Sequence, residues 1–322
     1  MPARPEEVWL LHLSDLHLGS QVDYLLCQAL IDAAKQTAPL LGCPTNDLIV
    51  IVSGDLTQDG VDEQFALAYT FLAKQLKFGW GNAVDELGLG VPAPRLQTVA
   101  GNHDHWDGSG YRWSRPYNPR LYPSRFRPTP WRETFTSAGG GLEIDLYGLD
   151  SNAGLWRTPN YLASGAYRGA DLKTLEQMLM HRSSPRGVRV GIVVSHHALF
   201  APLMGLPQPL DDESRERLLD LGARYGIQMI LTGHTHTFKY LPTSRSLPFE
   251  RIITGRPKVI HELRSATSLK GTPAGGGQGF WLHRVWLEFG KPRLQGWRFQ
   301  WLPTSRNFAP RNQTPDVDIA LA

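Results

Sequence analysis

The sequence predicts an α/β fold, and three patterns along the chain support that prediction. Strand-like and helix-like segments alternate over the first 240 residues, which is typical of an α/β core. Several strand-like segments are continuous apolar runs, as at residues 48–52, and such runs indicate strands covered on both faces. Beyond residue 240 the helical periodicity stops and short strands follow one another, which predicts antiparallel pairing.

The first hundred residues contain three predicted strands and two predicted helices. Residues 8–11 form a short apolar run with no helical period, and the stretch 96–100 is similar. Apolar spacing over residues 21–35 and 62–78 predicts helices on either side of the strand at 48–52. The resulting order of strand, helix, strand and helix favours an α/β core.

Two stretches fit neither pattern. Residues 79–95 are rich in glycine and proline, which predicts an inserted loop. Residues 105–132 have little periodicity and combine many prolines with aromatic and arginine side chains. Long segments of this kind are usually functional or disordered, and the aromatic content argues against disorder. Two interpretations of this segment stay open, a solvated surface loop and a part of a binding site.

The alternation continues in the second half of the chain. Strands are predicted over residues 142–149, 188–194 and 228–231, and helices over 170–181 and 211–225. Acidic residues begin the last of these helices, where the helix dipole favours them. This half therefore adds further strands and helices of the same α/β type.

The C-terminal part is predicted to be all strand. Residues 259–263, 280–289 and 294–302 are strand-like and are separated by glycine-rich turns. The remaining residues, 303–322, are polar and predicted to be a tail. The expected organisation is one domain over residues 1–302 followed by that tail.

Composition excludes several kinds of partner. The 322 residues carry a net charge of +3, which is too small to imply nucleic acid. No apolar run approaches the roughly 18 residues of a membrane span, and no secretory signal is visible. Cys27 and Cys43 have neither zinc-finger nor Cys-x-x-Cys spacing, so we expect free thiols in a reducing compartment. These observations predict a cytoplasmic protein without a membrane partner.

Side chains that can bind metal follow five of the predicted strands. In open α/β sheets, ligands bind at the edge formed by the carboxyl ends of the strands. A single Asp-x-His motif there is also explained by a turn with a capping aspartate, but recurrence of the pattern favours a metal site. The residues that share this placement are Asp15, His17, Asp55, Asn102, His103, His196, His234 and His236.

The chemistry of these side chains predicts two metal ions. Nitrogen and oxygen ligands without thiolates suit manganese, iron, zinc, cobalt or nickel. Seven ligands are too many for one ion and suit two ions that share a carboxylate. Two ions about 3.5–4 Å apart clamp the attacking and leaving oxygens of an in-line displacement at phosphorus. His103 is then left over, and a spare imidazole could act as general acid or bind phosphate.

The order of the motifs resembles the calcineurin-like metallophosphoesterase superfamily. That family's signature runs Asp-x-His, Gly-Asp, Gly-Asn-His-Asp/Glu, a lone His and Gly-His-x-His. The chain carries, over roughly residues 8–240, Asp15-Leu16-His17, Gly54-Asp55, Gly101-Asn102-His103-Asp104, Ser195-His196 and Gly233-His234-Thr235-His236. The resemblance implies a four-layer αββα sandwich of two mixed β-sheets flanked by helices, with the C-terminal strands completing the second sheet.

The resemblance also implies a role for each motif residue. The implied metal ligands are Asp15, His17 and His236 for the first ion, Asn102, His196 and His234 for the second, and Asp55 for both. The cofactors would be two divalent or trivalent ions, with manganese, iron and zinc as candidates, and a hydroxide between them would attack phosphorus. His103 would protonate or stabilise the leaving oxygen, with Asp104 nearby to orient it.

Several histidines are assigned less directly. His196 is preferred to His197 because the family's ligand is the first residue past the strand, but both stay open. The histidines expected to be structural or at the surface are His12, His105, His181, His261 and His283.

The stretch around the bridging aspartate narrows the expected substrate. Gln58 stands where purple acid phosphatases have tyrosine, and residues 54–60 lack the arginine of the Ser/Thr protein phosphatases. His103 stands where the lipid-A-pathway pyrophosphatases usually have arginine. With Glu63, the stretch looks most like the class III cyclic-nucleotide phosphodiesterases and the glycerophosphodiesterases, which implies a small phosphodiester substrate.

Other functions of the same superfamily stay open. They are a phosphomonoesterase, a nuclease and a non-catalytic interaction module on the same fold. A nucleic-acid substrate is not expected, because the DNA-capping segments and coiled coils of the family's repair nucleases are not visible. A homo-oligomer is compatible with the sequence.

Overall fold

Two β-sheets pack face to face at the centre of the protein. The computed structural model describes residues 6–19, 23–44, 47–80, 83–105, 122–153, 164–200, 209–245, 258–269 and 277–321. A cluster of buried apolar side chains lies between the sheets, with Leu10, Ile51, Leu146 and Ile192 among the fully buried ones. This apolar layer holds the two sheets together.

The first sheet contains seven strands within the described residues. They are β1 (Glu7–Leu13), β2 (Ile49–Ser53), β5 (Leu96–Val99), β12 (Gly279–Glu288), β13 (Lys291–Leu302), β14 (Asn307–Pro310) and β15 (Val317–Ala320). Strands β1, β2 and β5 are parallel neighbours, whereas β12 runs antiparallel to β1. The carboxyl ends of β1, β2 and β5 therefore reach the same edge of the sheet.

The second sheet contains six strands in the same part of the chain. They are β6 (Trp131–Thr136), β7 (Leu142–Gly148), β8 (Val188–Val194), β9 (Ile227–Thr232), β10 (Lys239–Arg245) and β11 (Lys258–Arg264). The central strands β7, β8, β9 and β11 are parallel, and β6 and β10 form antiparallel edges. Both sheets are therefore mixed, as predicted.

Helices cover the outer face of each sheet. They are α1 (Tyr24–Asp32), α2 (Asp62–Ala73), α3 (Tyr122–Arg125), α4 (Gly169–Met180) and α5 (Asp212–Tyr225). Leu30 of α1 and Phe65 of α2 pack on the first sheet, and Leu175 of α4 and Leu218 of α5 pack on the second. The predicted four-layer αββα sandwich is confirmed. None of the helices in the described ranges is long and apolar enough to cross a membrane.

Local sequence explains where two of these helices begin. The Asp23 carboxylate accepts hydrogen bonds from the amides of Leu25 and Leu26, at 2.9 and 3.1 Å, and caps α1. Asp211 caps α5 in the same way through the amide of Ser214. Helix α5 ends at Gly226, whose φ of 74° is the left-handed conformation that favours glycine.

The helix predicted over residues 62–78 is shorter than expected. It ends at Ala73, and residues that follow form β3 (Leu76–Trp80), which pairs with β4 (Ala83–Leu87). The predicted loop at residues 79–95 therefore contains the end of β3 and all of β4. Pairing across the hairpin, which includes an ion pair between Lys77 and Glu86, overrides the local helical preference.

The C-terminal strands are divided between the two sheets rather than completing the second alone. Strands β10 and β11 join the second sheet, but the β12–β13 hairpin pairs with β1 in the first. Residues 303–322, expected as a polar tail, contribute β14 and β15, which both pair with β13. Phe308 and Val317 are buried there, and burial of these isolated apolar side chains favours the added strands.

Candidate metal centre

The carboxyl ends of five parallel strands, three from the first sheet and two from the second, converge on one site. The loops after them are joined by backbone hydrogen bonds: the amides of Asp15 and His17 donate to the carbonyls of Gly54 and Asp55, at 3.0 Å each. Between the β8 and β9 loops, the amide of Gly233 donates to the carbonyl of His196, also at 3.0 Å. These loops carry all the metal-binding side chains named from the sequence.

A first group of donor atoms surrounds Asp15. Its Oδ1 lies 3.1 Å from His236 Nε2 and 3.9 Å from His17 Nε2. Its Oδ2 is held by the hydroxyl of Ser14 at 2.6 Å and by the amide of His234 at 3.1 Å. One carboxylate oxygen is thus fixed by the protein while the other faces two imidazole nitrogens.

A second group surrounds His196 Nε2. This nitrogen lies 3.1 Å from Asn102 Oδ1, 3.2 Å from His234 Nδ1 and 3.4 Å from Asp55 Oδ2. The other ring nitrogen of His196 donates to the carbonyl of Ser53 at 2.8 Å. That bond assigns the proton of a neutral ring to Nδ1 and leaves the lone pair of Nε2 facing the group.

Asp55 lies between the two groups. Its Oδ1 accepts the amide of His103 at 2.9 Å. Its Oδ2 is 3.4 Å from His196 Nε2 in the second group and 3.7 Å from His17 Nε2 beside the first. The carboxylate is almost completely buried, so it is placed to be shared by both groups.

The donor set fits metal ions. Within the described residues, three overlapping clusters of potential ligand atoms combine carboxylate oxygens with imidazole nitrogens and include no thiolate. The atoms of each cluster lie within 4.8 Å of one another. One other imidazole nitrogen, an amide oxygen and a carboxylate oxygen lie 3.1–3.4 Å from His196 Nε2, so four potential donor atoms meet there. Such lone pairs repel one another unless a proton or a cation lies between them. Since a single proton cannot satisfy four such atoms, a cation suits the arrangement better.

The electrostatics of the site favour positive charge. Burial would raise the pKa of the Asp55 carboxyl, but His196 and His103 outweigh it and hold that pKa well below its usual range. Burial would lower the pKa of His196, yet Asp55 raises it to about 9. Burial, together with the charge on His196, lowers the pKa of His234 to about 3. The site therefore favours a positive charge between His196 and the ionised Asp55. A metal ion could supply that charge in place of the proton on His196.

Backbone strain is concentrated in the candidate ligands. Positive φ angles occur at Asp15 (51°), His17 (46°), Asp55 (51°), His234 (65°) and His236 (52°). Elsewhere in the described chain, the non-glycine residues with such angles are Phe289 and Arg306, which both lie in turns between strands. Sparsely populated conformations cost about 1–3 kcal/mol each and cluster at functional sites. This concentration supports a functional rather than a packing role for the five candidate ligands.

His103 lies at the open side of the site. Its Nδ1 donates to the carbonyl of Gln58 at 2.8 Å, which leaves Nε2 as the nitrogen that can gain or lose a proton. Nε2 is 3.9 Å from Asp55 Oδ2, and the ring contacts the edge of His17 at a centroid distance of 4.3 Å. Its side chain is 13% exposed, against 1% for His17, so a substrate could reach it.

Asp104 has a different role from the one expected. Its carboxylate accepts the amides of Gly101, Leu56 and Thr57 and the hydroxyl of Thr57, at 2.8–3.1 Å. These bonds join the β2 and β5 loops, and the imidazole of His103 is held by Gln58 instead. Burial and the charge of Asp55 raise the pKa of Asp104 to about 6. The residue thus supports the loops rather than orienting His103.

The geometry favours His196 over His197 as a ligand. His196 Nε2 faces the other donors, whereas His197 is bonded to the hydroxyl of Ser151 at 2.7 Å. The placement of the remaining histidines agrees with structural or surface roles: His12, His105, His181, His261 and His283. Of these, His105 is buried and lies 3.1 Å from Asp150 Oδ2.

A buried polar loop after β11 supports the site and was not expected from the sequence. Thr267 Oγ1 donates to the carbonyl of Asp15 at 2.8 Å. The amide of Ser268 donates to the carbonyl of Ser14, and its hydroxyl accepts the amide of Ser14 at 3.1 Å. Residues 265–268 read Ser-Ala-Thr-Ser directly after β11. The candidate ligands were identified as polar residues that follow a predicted strand. The same criterion could also have identified this loop.

Most of the segment rich in arginine and aromatic residues lies outside the described residues, since these omit 106–121. Both of its described ends are anchored. His105 pairs with Asp150, and the Tyr122 hydroxyl lies 2.6 Å from Thr98 Oγ1 on β5. Tyr122 also contacts Phe65 of α2 edge to face.

Comparison with known proteins adds three findings. The family model for the calcineurin-like phosphoesterases matches residues 8–238. A dimetal phosphatase from Danio rerio is 14% identical, with a TM-score of 0.56 over 99% of this chain and 100% of that one. GAP50, the anchor in the inner membrane complex of Plasmodium, is 11% identical, with a TM-score of 0.55 over 98% of this chain and 88% of that one. At such identities these structures show the fold alone. No curated protein matches the chain significantly.

Proposed function

The chain belongs to the calcineurin-like phosphoesterase family, and from that premise we propose that it is a dinuclear metal-dependent hydrolase of small phosphodiesters. The observation that supports the dinuclear centre best is the position of Asp55. Its Oδ2 faces His196 of one donor group and His17 beside the other, at 3.4 and 3.7 Å. A shared carboxylate is what two ions in one site need.

Different residues have different roles in the proposed reaction. Two bound cations would supply Lewis-acid polarisation of the phosphoryl oxygens and lower the pKa of a coordinated water. Asp15, His17 and His236 would hold one cation, and Asn102, His196 and His234 the other. Asp55 would hold both and so set their separation.

His103 completes the proposed reaction. When the bond from phosphorus to the ester oxygen breaks, the leaving oxygen needs a proton or a positive charge. The Nδ1 proton of His103 stays bonded to the carbonyl of Gln58. The proton carried by Nε2 is therefore the one that His103 would donate to the leaving oxygen. Its position 3.9 Å from Asp55 and its partial exposure support this role.

The preference for a small diester is supported by the sequence beside the bridging aspartate and by the segment 105–132. The stretch from Gly54 to Gly60 resembles that of the cyclic-nucleotide and glycerophosphodiester hydrolases. We further propose that segment 105–132 recognises the organic part of the substrate. Its aromatic side chains could stack on a base, and its arginines could pair with phosphate oxygens.

The proposal is tested with protein that has been stripped of metal by a chelator and then reconstituted with Mn²⁺. The substrates are bis-p-nitrophenyl phosphate, p-nitrophenyl phosphate, cyclic AMP, a glycerophosphodiester and single-stranded DNA. We expect two ions per chain and the highest kcat/KM among the small diesters. Asp55→Ala is the control and should lose both bound metal and activity, because it removes an anionic ligand from both groups.

Each other outcome assigns a different function. If kcat/KM is higher for p-nitrophenyl phosphate than for the small diesters, the protein is a phosphomonoesterase. If kcat/KM is highest for single-stranded DNA, the protein is a nuclease. Two bound ions without turnover of any substrate, or near-normal turnover in Asp55→Ala, would overturn the proposed chemistry.

A further inference from the structure

One ligand of the second donor group lacks the support that metal-binding histidines usually have. Such an imidazole normally donates its other N–H to a carboxylate, a carbonyl or a water. His196 follows this rule through the carbonyl of Ser53. His234 does not: its Nδ1 faces His196, and its Nε2 is buried without a hydrogen-bond partner in the part of the chain that the structure describes. Packing must therefore set the orientation of the His234 ring.

His197 provides that packing. Its ring centroid lies 4.3 Å from that of His234, with the planes inclined at 48°. The same ring contacts His196 at 5.2 Å, with the planes at 83°. His197 is completely buried, so it forms a wall against the imidazoles of two ligands of the same group.

His197 is itself fixed on two sides. The hydroxyl of Ser151 accepts its backbone N–H at 3.1 Å and hydrogen-bonds to its Nδ1 at 2.7 Å. On another side, a Cβ at Gly165 would lie 2.5 Å from the ring, so the backbone of that residue closes the space around it. Ser151 follows β7, a strand that carries none of the candidate ligands. A third loop thus determines where the His234 ring can lie.

We propose that His197, held by Ser151, is a positioning residue that orients His234 toward the second metal ion. The proposal rests on the two-metal function proposed above and deepens it. It predicts that the affinity for the second ion depends on a side chain that binds no metal. Loss of a group that orients a ligand typically costs about 10–100-fold in metal affinity.

The test is calorimetric titration of chelator-treated protein with Mn²⁺, which gives separate affinities for two ions. We expect His197→Ala to weaken the second ion about 10–100-fold and to leave the first nearly unchanged. Ser151→Ala should have a smaller effect in the same direction. The double variant should be no worse than His197→Ala alone, because both changes act on the same ring.

His261→Ala is the matched control. It also removes a buried imidazole with a hydroxyl partner, since His261 Nδ1 lies 3.0 Å from the hydroxyl of Tyr240. If His197 had only a structural role, His197→Ala and His261→Ala would both lower the melting temperature. Neither would then change the ratio of the affinities for the two metal ions. A wild-type ratio in folded His197→Ala would overturn the proposal. If His197→Ala does not fold, a wild-type ratio of the two affinities in Ser151→Ala would overturn the proposal instead.

His234→Ala separates this inference from the proposed function. It should bind one ion. If it still binds two with wild-type affinity, the ligand assignment itself is wrong. If it loses the second ion while His197→Ala and Ser151→Ala keep it, only the positioning role fails.

Discussion

The backbone of Gly101 lies so close to Asp55 that a Cβ there would stand 2.1 Å from Asp55 Oδ1 and 2.3 Å from its backbone nitrogen. Gly101 does not have a positive φ, so its backbone conformation does not require glycine. Glycine is needed because a side chain at this position would collide with Asp55. Gly233 has the same relationship to the first motif, since its Cβ would lie 1.7 Å from Ser14 Oγ. These glycines let the loops approach closely enough for their candidate ligands to meet.

Gly101→Ala should therefore damage the metal centre. The new methyl group must displace the Asp55 loop, and overpacking of this kind costs about 1–3 kcal/mol. We expect loss of bound Mn²⁺ and of activity, measured by elemental analysis and by turnover of bis-p-nitrophenyl phosphate. Gly169→Ala is the control, because its nearest neighbour would be 3.7 Å away at the start of α4. Normal metal content in Gly101→Ala would contradict this account.

The role of His103 is tested by the leaving group. His103→Ala should lower kcat most for diesters with poor leaving groups such as alkoxides, by about 10²–10⁴-fold if it acts as a general acid. A nitrophenolate needs little protonation and should be affected less. Steady-state kinetics with one substrate of each kind measures the difference. An equal loss for both would indicate electrostatic stabilisation of the transition state instead.

The segment between His105 and Tyr122 should influence the recognition of organic groups. Replacement of residues 110–120 by a Gly/Ser linker leaves the anchored ends in place. We expect KM for cyclic AMP to rise about tenfold or more, since stacking contributes about 1–3 kcal/mol per base. KM for bis-p-nitrophenyl phosphate should change less, and metal content should stay the same. Unchanged KM values for both substrates would show that the segment does not recognise substrate.

The buried pair of Glu262 and Arg264 should be important for stability. Glu262 accepts the amide of Leu199 at 2.8 Å, the hydroxyl of Thr232 at 3.1 Å and two N–H groups of Arg264. It thereby joins the β8 and β9 loops, which carry the candidate ligands His196, His234 and His236. Removal of one partner of a buried ion pair costs about 3–5 kcal/mol, so Glu262→Ala should lower the free energy of unfolding by that amount.

Urea denaturation measures this change. Glu86→Ala breaks the exposed pair with Lys77 and should change stability little. Equal effects of Glu262→Ala and Glu86→Ala would show that burial does not decide the contribution of these pairs.

The two cysteines should be unreactive in the folded protein. Burial raises the pKa of both Cys27 and Cys43 to about 12, so the thiols stay protonated at pH 8. Because the thiolate is the reactive form, iodoacetamide should modify them slowly until urea unfolds the chain. Mass spectrometry of samples treated with and without urea measures the difference. Rapid modification without urea would mean that these side chains are accessible.

Much of the site could be predicted from the sequence because its information is local. Asp15, Asp55 and Asn102 each lie within three residues of the end of a buried strand, and the carboxyl ends of neighbouring parallel strands meet at one edge. Their residue types determined the class of ligand, since carboxylate, amide and imidazole bind the same kinds of metal ion. The α/β class was likewise predictable, because the apolar spacing within each element is set by its own period.

The tertiary structure decided the features that depend on contacts between distant residues. Only the folded chain shows that His196 rather than His197 faces Asp55, that Asp104 joins two loops, and that Thr267 supports Asp15 from 252 positions away. The same holds for the hairpin of β12 and β13, which joins the first sheet because β12 pairs with β1. Local sequence defines what a segment can become, but the partner that buries it or satisfies its polar groups is fixed only when the remote segments pack together.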